Sequence, residues 1–325
     1  MPFAPKELRI VYMGTPEFAV FPLKELVDNE YNIATVVTAP DKPAGRGQKI
    51  SQSAVKEFAK GKGLDVLQPH SLKDIDFISQ IKSIDPHLII VVAFRMLPQE
   101  IWNIPKLGTF NLHASLLPQY RGAAPINWAV INGEAKTGLT TFLIDHKIDT
   151  GSILLQQEAI IHPDETAGEL HDRLMELGSK LVLKTVNQLA AESIKPIPQN
   201  TLIHKEHELK LAPKLFKENM RINWAQDSQS IHNHIRGLSP YPVAWTELHT
   251  PSRPVIPVKV FRSRTAQTNG NVAIGAIATD TKGQLFVGCK SGLLEILELQ
   301  LAGKKRVTAK EFLAGFRDIE NSTFV

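Results

Sequence analysis

Over the first half of the chain, short apolar runs alternate with segments whose apolar residues recur every three or four positions. The run at 8–13 ends at Gly14. Residues 17–27 follow, with Phe18, Phe21, Leu23 and Leu26 spaced for one face of a helix. The pattern repeats: strand candidates at Ile33–Val37 and 65–67, an amphipathic helix around 55–59, a helical period over Ile75–Ile84, and an unbroken Ile- and Val-rich run at 88–93. A continuous apolar run of that length predicts a strand covered on both faces. Strands alternating with helices predict a parallel, doubly wound α/β sheet of Rossmann-like form.

Beyond residue 100 the texture changes. Thr109–His113, 138–144 and 152–160 are strand candidates, and 165–189 carries Leu170, Leu174, Leu177, Leu181 and Val182 on one helical face. Residues 192–218 hold Pro196, Pro198 and Pro213 with many charges and little periodicity, which predicts a linker. Short strand-like runs follow at 242–248, 256–261, 272–277, 284–287 and Leu293–Leu301, then a helix over 308–316 opened by a Thr308/Glu311 capping box. Their spacing predicts a small all-β unit, with Trp224, Tyr241 and Trp245 in its core. The expected domains are 1–190, a linker 191–212, and 213–325.

The chain of 325 residues is 43% hydrophobic and 22% charged, ordinary for a globular protein with a real core. Net charge is +4, unevenly spread: residues 210–325 hold 16 basic against 9 acidic side chains, the remainder 21 against 24. A basic second half suits a polyanionic partner. Cys289 is the only cysteine, which excludes an internal disulfide and a cysteine-based metal site. The N-terminus has no apolar signal core, and the apolar stretch 87–94 is too short to span a bilayer. We therefore expect a cytoplasmic protein with no membrane association. His162, His171, His204, His207, His232, His234 and His249 lack ligand-like spacing, so no metal is expected.

The densest candidate chemistry is the run from Asn111 to Gly122. Asn111 and His113 alternate along a strand and so face the same way. In an open parallel sheet, ligands sit beyond the carboxyl ends of the strands, which is where His113 falls. Asp149 follows a later apolar strand, with Gly151 beside it. An Asn, a His and an Asp suffice for acyl transfer between nitrogens. The His moves protons near neutral pH, the carboxylate supports it, and the amide donates to a developing oxyanion. Gly14 invites a dinucleotide reading, but Thr15, Pro16 and Glu17 break the glycine pattern. Lys42, Arg46 and Lys49 point instead to phosphate binding.

The run Asn111-x-His113-x-Ser115-Leu116-Leu117-Pro118-x-x-Arg121-Gly122, with Asp149-Thr150-Gly151 after it, resembles the signature of folate-dependent formyltransferases. The resemblance implies that Asn111, His113 and Asp149 are catalytic and that Ser115, Leu116, Leu117 and Pro118 contact a folate. A narrower similarity covers Met13 to Ala19, Thr38 to Gly47, Gly122 to Ile126 and Leu301 to Lys305. It is to the branch of that family whose acceptor is methionyl initiator tRNA. It implies 10-formyltetrahydrofolate as cosubstrate, initiator methionyl-tRNA as partner with no obligate protein partner, and an OB-like C-terminal barrel. It also implies an acceptor-stem loop around Arg46. Lys42, Arg46, Lys49, Lys304, Lys305 and Arg306 are the expected tRNA contacts. Phe94-Arg95 departs from the Tyr-Gly pair common in the family. The rival readings are a formyltransferase with a small-molecule amine acceptor, a formyltetrahydrofolate hydrolase, and a non-enzymatic RNA-binding protein.

Overall fold

The computed structural model describes residues 3–44, 49–203, 205, 208–266, 272–316 and 319–325. The elements in chain order are β1 (Ile10–Gly14), α1 (Val20–Asp28), β2 (Ile33–Val37), β3 (Lys42–Ala44), β4 (Lys49–Ser51), α2 (Ala54–Gly61), β5 (Val66–Leu67), α3 (Ile75–Ile84), β6 (Leu88–Val92), α4 (Gln99–Trp102), β7 (Thr109–His113), β8 (Arg121–Gly122), α5 (Pro125–Ile131), β9 (Lys136–Leu143), β10 (Ile153–Ile160) and α6 (Ala167–Ala190). There follow β11 (Leu211–Ala212), α7 (Ser228–Leu238), β12 (Ala244–Thr250), β13 (Arg253–Thr265), β14 (Ile277–Thr279), β15 (Leu285–Gly288), β16 (Leu293–Leu301), β17 (Val307–Thr308), α8 (Ala309–Gly315) and β18 (Thr323–Phe324).

Two compact units form. The first takes Met1–Gly122, Thr137–Ala159 and His171–Leu211; the second takes Ala123–Lys136, Ile160–Leu170 and Ala212–Val325. No described helix is long and apolar enough to cross a membrane.

The first unit is built on a sheet of order β10-β9-β7-β6-β1-β2-β5. β1 runs parallel to β2 and β6, β2 to β5, and β6 to β7, while β9 is antiparallel to β7. Every residue of β1 and β6 is buried, as two-sided coverage of an unalternating strand requires. The sheet grows outward from β1 in both directions, so the carboxyl ends of β1 and β6 flank the switch point where ligands bind in such folds. The helix expected over 17–27 starts as a 3-10 turn at Glu17–Ala19 and becomes α-helical from Val20, with Pro22 tolerated in the first turn.

The second unit carries an antiparallel sheet of order β14-β15-β16-β13-β12-β18, with β17 on β16. An isolated bridge from Ala276 to Thr323 brings the edge at β18 back beside the start of β14, so the sheet nearly closes as a barrel. Its core includes Trp224, Val258, Val260, Leu285, Leu294 and Ile296. Trp224 stacks on Phe324 with ring centroids 5.7 Å apart and donates its indole N–H to Thr246 Oγ1 at 2.9 Å. Tyr241 departs from expectation: it is 83% exposed, in a turn between cis prolines. Residues 272–275 also differ. They turn, with Gly275 at φ 75°, and the strand begins at Ile277. The capping box at α8 forms as expected: Thr308 Oγ1 accepts from Glu311 N, and Glu311 Oε2 accepts from Thr308 N.

Helix α7 was not apparent in the sequence. Asp227 caps it, accepting from Ser230 N at 2.8 Å, and Ile231, Ile235 and Leu238 bury one face. Helix α5 packs against it. Asn127 Nδ2 donates to Gly237 O at 2.8 Å, and a Cβ at Gly237 would stand 2.5 Å from Ile131 Cγ1, so only glycine allows this crossing.

Candidate active site

The site grows from the carboxyl end of β7. Asn111 and His113 lie two residues apart on that strand, opposite Phe142 and Thr140 of β9. The His113 ring meets Phe142 edge-on at 6.4 Å between centroids, and the residue is only 7% exposed. His113 Nε2 lies 2.9 Å from the carbonyl oxygen of Tyr120. A carbonyl can only accept, so Nε2 carries the proton of the neutral ring and Nδ1 holds the free lone pair. Asn111 Oδ1 is buried with no hydrogen-bond partner. A half-turn of the amide puts its N–H₂ in the same place, so Asn111 can present either donor or acceptor there.

Asp149 completes the constellation. Its Oδ2 stands 3.8 Å from His113 Nδ1, beyond direct hydrogen-bond range, and accepts from Gly122 N at 2.9 Å. Two acceptors, an imidazole nitrogen and a carboxylate oxygen, therefore face one another across a gap suited to a group bearing several N–H donors. The backbone here is unusual: Asp149 has φ 54°, Tyr120 59° and Ala93, at the end of β6, 46°. Left-handed conformations at non-glycine residues persist only where the surroundings over-determine them. Next to Asp149, a Cβ at Gly151 would collide with the Leu143 carbonyl at 1.6 Å, which explains the glycine in Asp149-Thr150-Gly151.

The loop after β7 is tied down by polar contacts. Ser115 Oγ donates to Gln119 O at 2.6 Å. Thr140 Oγ1 donates to Ser115 O at 2.7 Å and accepts from Leu117 N at 3.1 Å. Gln156 Nε2 donates to Leu117 O at 2.9 Å, and the Leu117 side chain packs on Phe142 and Ile153. Of the four expected folate contacts, Ser115 and Leu117 are buried and Leu116 and Pro118 are half-buried. Tyr120 N donates to Lys210 O at 2.6 Å.

One site residue is invisible in the sequence. Gln199, in the stretch expected to be a linker, is 2% exposed. Its Oε1 accepts from Arg121 Nε and Nη2, and its Nε2 donates to the carbonyls of Asp149 and Gly151. Burial pulls the Arg121 guanidinium below its ordinary pKa, with Asp149 and Asp145 acting in the opposite direction. A glutamine among prolines and charges carries no signal of burial, so no sequence pattern would have found it.

The expected nucleic-acid contacts fall in several settings. Lys42 lies exposed in β3; Lys49 belongs to β4, which pairs with β3. Arg46 lies outside the described residues, as do His204 and His207. The root of the β3–β4 hairpin is held by Asp41, which accepts from Lys56 Nζ at 2.6 Å and Gln68 Nε2 at 2.8 Å; these bonds keep its carboxyl below the ordinary carboxylate range. Lys304 and Lys305 are exposed between β16 and β17. Arg306 differs: it pairs with Glu298 and stacks over the Phe261 ring at 4.3 Å. Arg262 and Arg264 are likewise paired, with Glu169 and Glu295. Among the described residues no group of three His, Cys, Asp or Glu is placed to hold a metal ion.

Residues 8–186 match the formyl transferase family and residues 214–317 match the formyl transferase C-terminal domain. The chain is 50% identical to the methionyl-tRNA formyltransferase of Bacteroides thetaiotaomicron over 96% of its length and 97% of that protein's. It is 52% identical to the corresponding protein of Phocaeicola vulgatus over 98% of both. Among solved structures, it resembles a sugar 3N-formyl transferase determined with dTDP and 5-N-formyl-THF. That likeness has a TM-score of 0.64 and 20% identity, over 92% of this chain and 99% of the other. It also resembles HypX from Aquifex aeolicus in complex with tetrahydrofolic acid, with a TM-score of 0.62 and 17% identity, over 94% of this chain and 47% of that one. At these identities the structural likenesses establish the fold.

Proposed function

The chain belongs to the formyl transferase family, and from that premise we propose that it transfers the formyl group of 10-formyltetrahydrofolate to the free amino group of methionyl initiator tRNA in the cytoplasm. The observation that carries the choice of acceptor is identity of about one half, spanning both units, to proteins named for that reaction. The sugar formyl transferases share the fold at a fifth identity, so a small amine acceptor is the weaker reading. The 5-N-formyl-THF of the sugar enzyme and the tetrahydrofolic acid of HypX support a folate donor here.

The geometry supplies a part for each residue. His113 Nδ1, left with a lone pair because Nε2 is engaged by the Tyr120 carbonyl, takes a proton from the attacking amine. Asp149, 3.8 Å away, accepts from a second N–H of the same amine and favours the imidazolium that results. As the new C–N bond forms, the Asn111 amide donates to the formyl oxygen, filling the position that is buried and unpaired in the protein alone. His113 then returns the proton to the departing folate nitrogen as the old C–N bond breaks. Proton and formyl group both balance, and no nucleophilic side chain is needed.

The test is to supply 10-formyltetrahydrofolate with methionyl initiator tRNA, with an amino-sugar nucleotide, or with water alone, and to follow formyl transfer and folate release. Formylmethionyl-tRNA is the expected product. A kcat/KM for the amino sugar equal to that for the tRNA, or folate release without acceptor at the same rate, overturns the assignment.

A further inference from the structure

We infer that Gln199 is a positioning residue of the active site: it holds the turn at 149–151 so that the Asp149 carboxylate faces His113. The inference rests on the catalytic reading of Asp149 given above.

A primary amide has two lone pairs and two N–H groups to satisfy. In Gln199 all four are used within the protein. Oε1 accepts from Arg121 Nη2 at 2.7 Å and Nε at 3.1 Å, and Nε2 donates to Gly151 O at 2.8 Å and Asp149 O at 3.0 Å. A buried side chain that merely filled space would need none of them, and leucine would serve equally well. The two donated bonds hold the carbonyl of Asp149, the residue whose backbone is left-handed at φ 54°, and that of Gly151 two residues on. They supply part of the over-determination such a conformation requires. The two accepted bonds hold Arg121, whose neighbour Gly122 donates its N–H to Asp149 Oδ2 at 2.9 Å. One buried amide thus grips the carboxylate from both sides, through its own backbone and through the residue preceding its N–H donor.

Gln199 is itself anchored. Ile197, two residues earlier, exchanges both backbone hydrogen bonds with Ile153 of β10 at 2.8 and 2.9 Å. Gln199 then opens a 3-10 turn, Gln199–Leu202. The stretch after α6 therefore enters the site at one point, with its backbone fixed just before.

Two variants test the role. Gln199→Leu keeps the volume and removes every polar contact. Gln199→Glu keeps the shape and the Arg121 pairing but sets carboxylate oxygens against the carbonyls of Asp149 and Gly151. Near-UV circular dichroism monitors the fold of both. The expected result is a fall in kcat of about 10–10²-fold, the scale of a misplaced catalytic group, with both KM values within about twofold of the parent. In an Asp149→Asn background the further loss from either Gln199 variant should largely vanish, because one group acts through the other. Amide exchange at Gly122 should quicken in both variants while the β6 amides stay protected. Parental kcat in both folded variants overturns the inference, and so does a loss that multiplies in full onto Asp149→Asn. If Asp149→Asn alone keeps parental turnover, the catalytic reading of Asp149 fails. The Gly122 exchange then decides the Gln199 role by itself, and unchanged exchange in both variants overturns it.

Discussion

The carbonyl oxygen of Tyr120 lies 2.9 Å from Nε2 of His113, and that single contact decides which ring nitrogen is free to act. Tyr120 holds this position in a left-handed backbone conformation, at φ 59°, with its own N–H donated to Lys210 O. The loop after β7 therefore sets the tautomer of the residue at the end of β7.

His113→Ala should lower kcat by about 10²–10⁴-fold, the usual range for a proton-transfer group, while folate and tRNA affinities persist. Single-turnover formylation at saturating substrates, alongside equilibrium tRNA binding, measures both. Near-parental turnover removes His113 from the chemistry.

Asn111→Asp is nearly isosteric but places an acceptor and a charge in the buried, unpaired position of the amide. Turnover should fall by about 10²–10³-fold, as for other oxyanion donors. A loss confined to folate affinity would assign Asn111 to binding instead.

Asp149→Asn keeps the size of the side chain and a group to accept from Gly122 N, but removes the charge 3.8 Å from His113. Turnover should drop by about 10²-fold with binding little changed. Equal effects on kcat and on the tRNA dissociation constant would contradict the assignment.

The cations of the second unit should separate by their partners. Lys304 and Lys305 are exposed. Replacing both by Ala should flatten the dependence of log affinity on log salt by about 0.7–0.9 for each phosphate no longer neutralised. Arg306 is held by Glu298 and the Phe261 ring. Arg306→Ala should therefore cost about 1 kcal/mol of stability in thermal unfolding, with little change in salt slope. Matching salt slopes for parent and Lys304/Lys305 double variant would place the tRNA elsewhere.

Cys289 should be chemically silent in the folded protein. Burial raises its thiol pKa to about 11, and it is 6% exposed. A thiolate-selective disulfide reagent at pH 8 should find no reactive thiol until denaturant is added, then one per chain. Rapid reaction of the native protein would mean that the barrel opens.

Much of this was legible in the sequence, and the exceptions share a cause. The unbroken run at 88–93 reads correctly as a two-side-buried strand over Leu88–Val92, with only Ala93 falling outside it, because burial on both faces removes polar positions. Asn111 and His113 are readable because strand period alone puts them on one face. Helix α7 hides because His232, Asn233 and Arg236 look like a solvated face yet are buried, Arg236 donating to the Asn233 side chain and the Glu165 carbonyl. Gln199 hides for the same reason. A polar residue satisfied entirely by distant backbone and side chains is indistinguishable in sequence from one satisfied by water. Tyr241 errs in the opposite direction, an aromatic expected in the core that stands in solvent.

The packing of α5 on α7 bears on how the chain is made. The chain passes between its two units at Gly122/Ala123, Lys136/Thr137, Ala159/Ile160, Leu170/His171 and Leu211/Ala212. During synthesis α5 leaves the ribosome long before Ser228–Leu238, the helix it packs on, has been translated. The first unit's own last strand segment, around Leu211, also comes late. The first unit is complete in sequence at Leu211, whereas the second unit's early segments, 123–136 and 160–170, must wait unpartnered until residues 212–325 have been translated. A fragment ending near residue 190 carries α5 without its partner, its apolar side open to other chains and to the quality-control machinery that reads such surfaces.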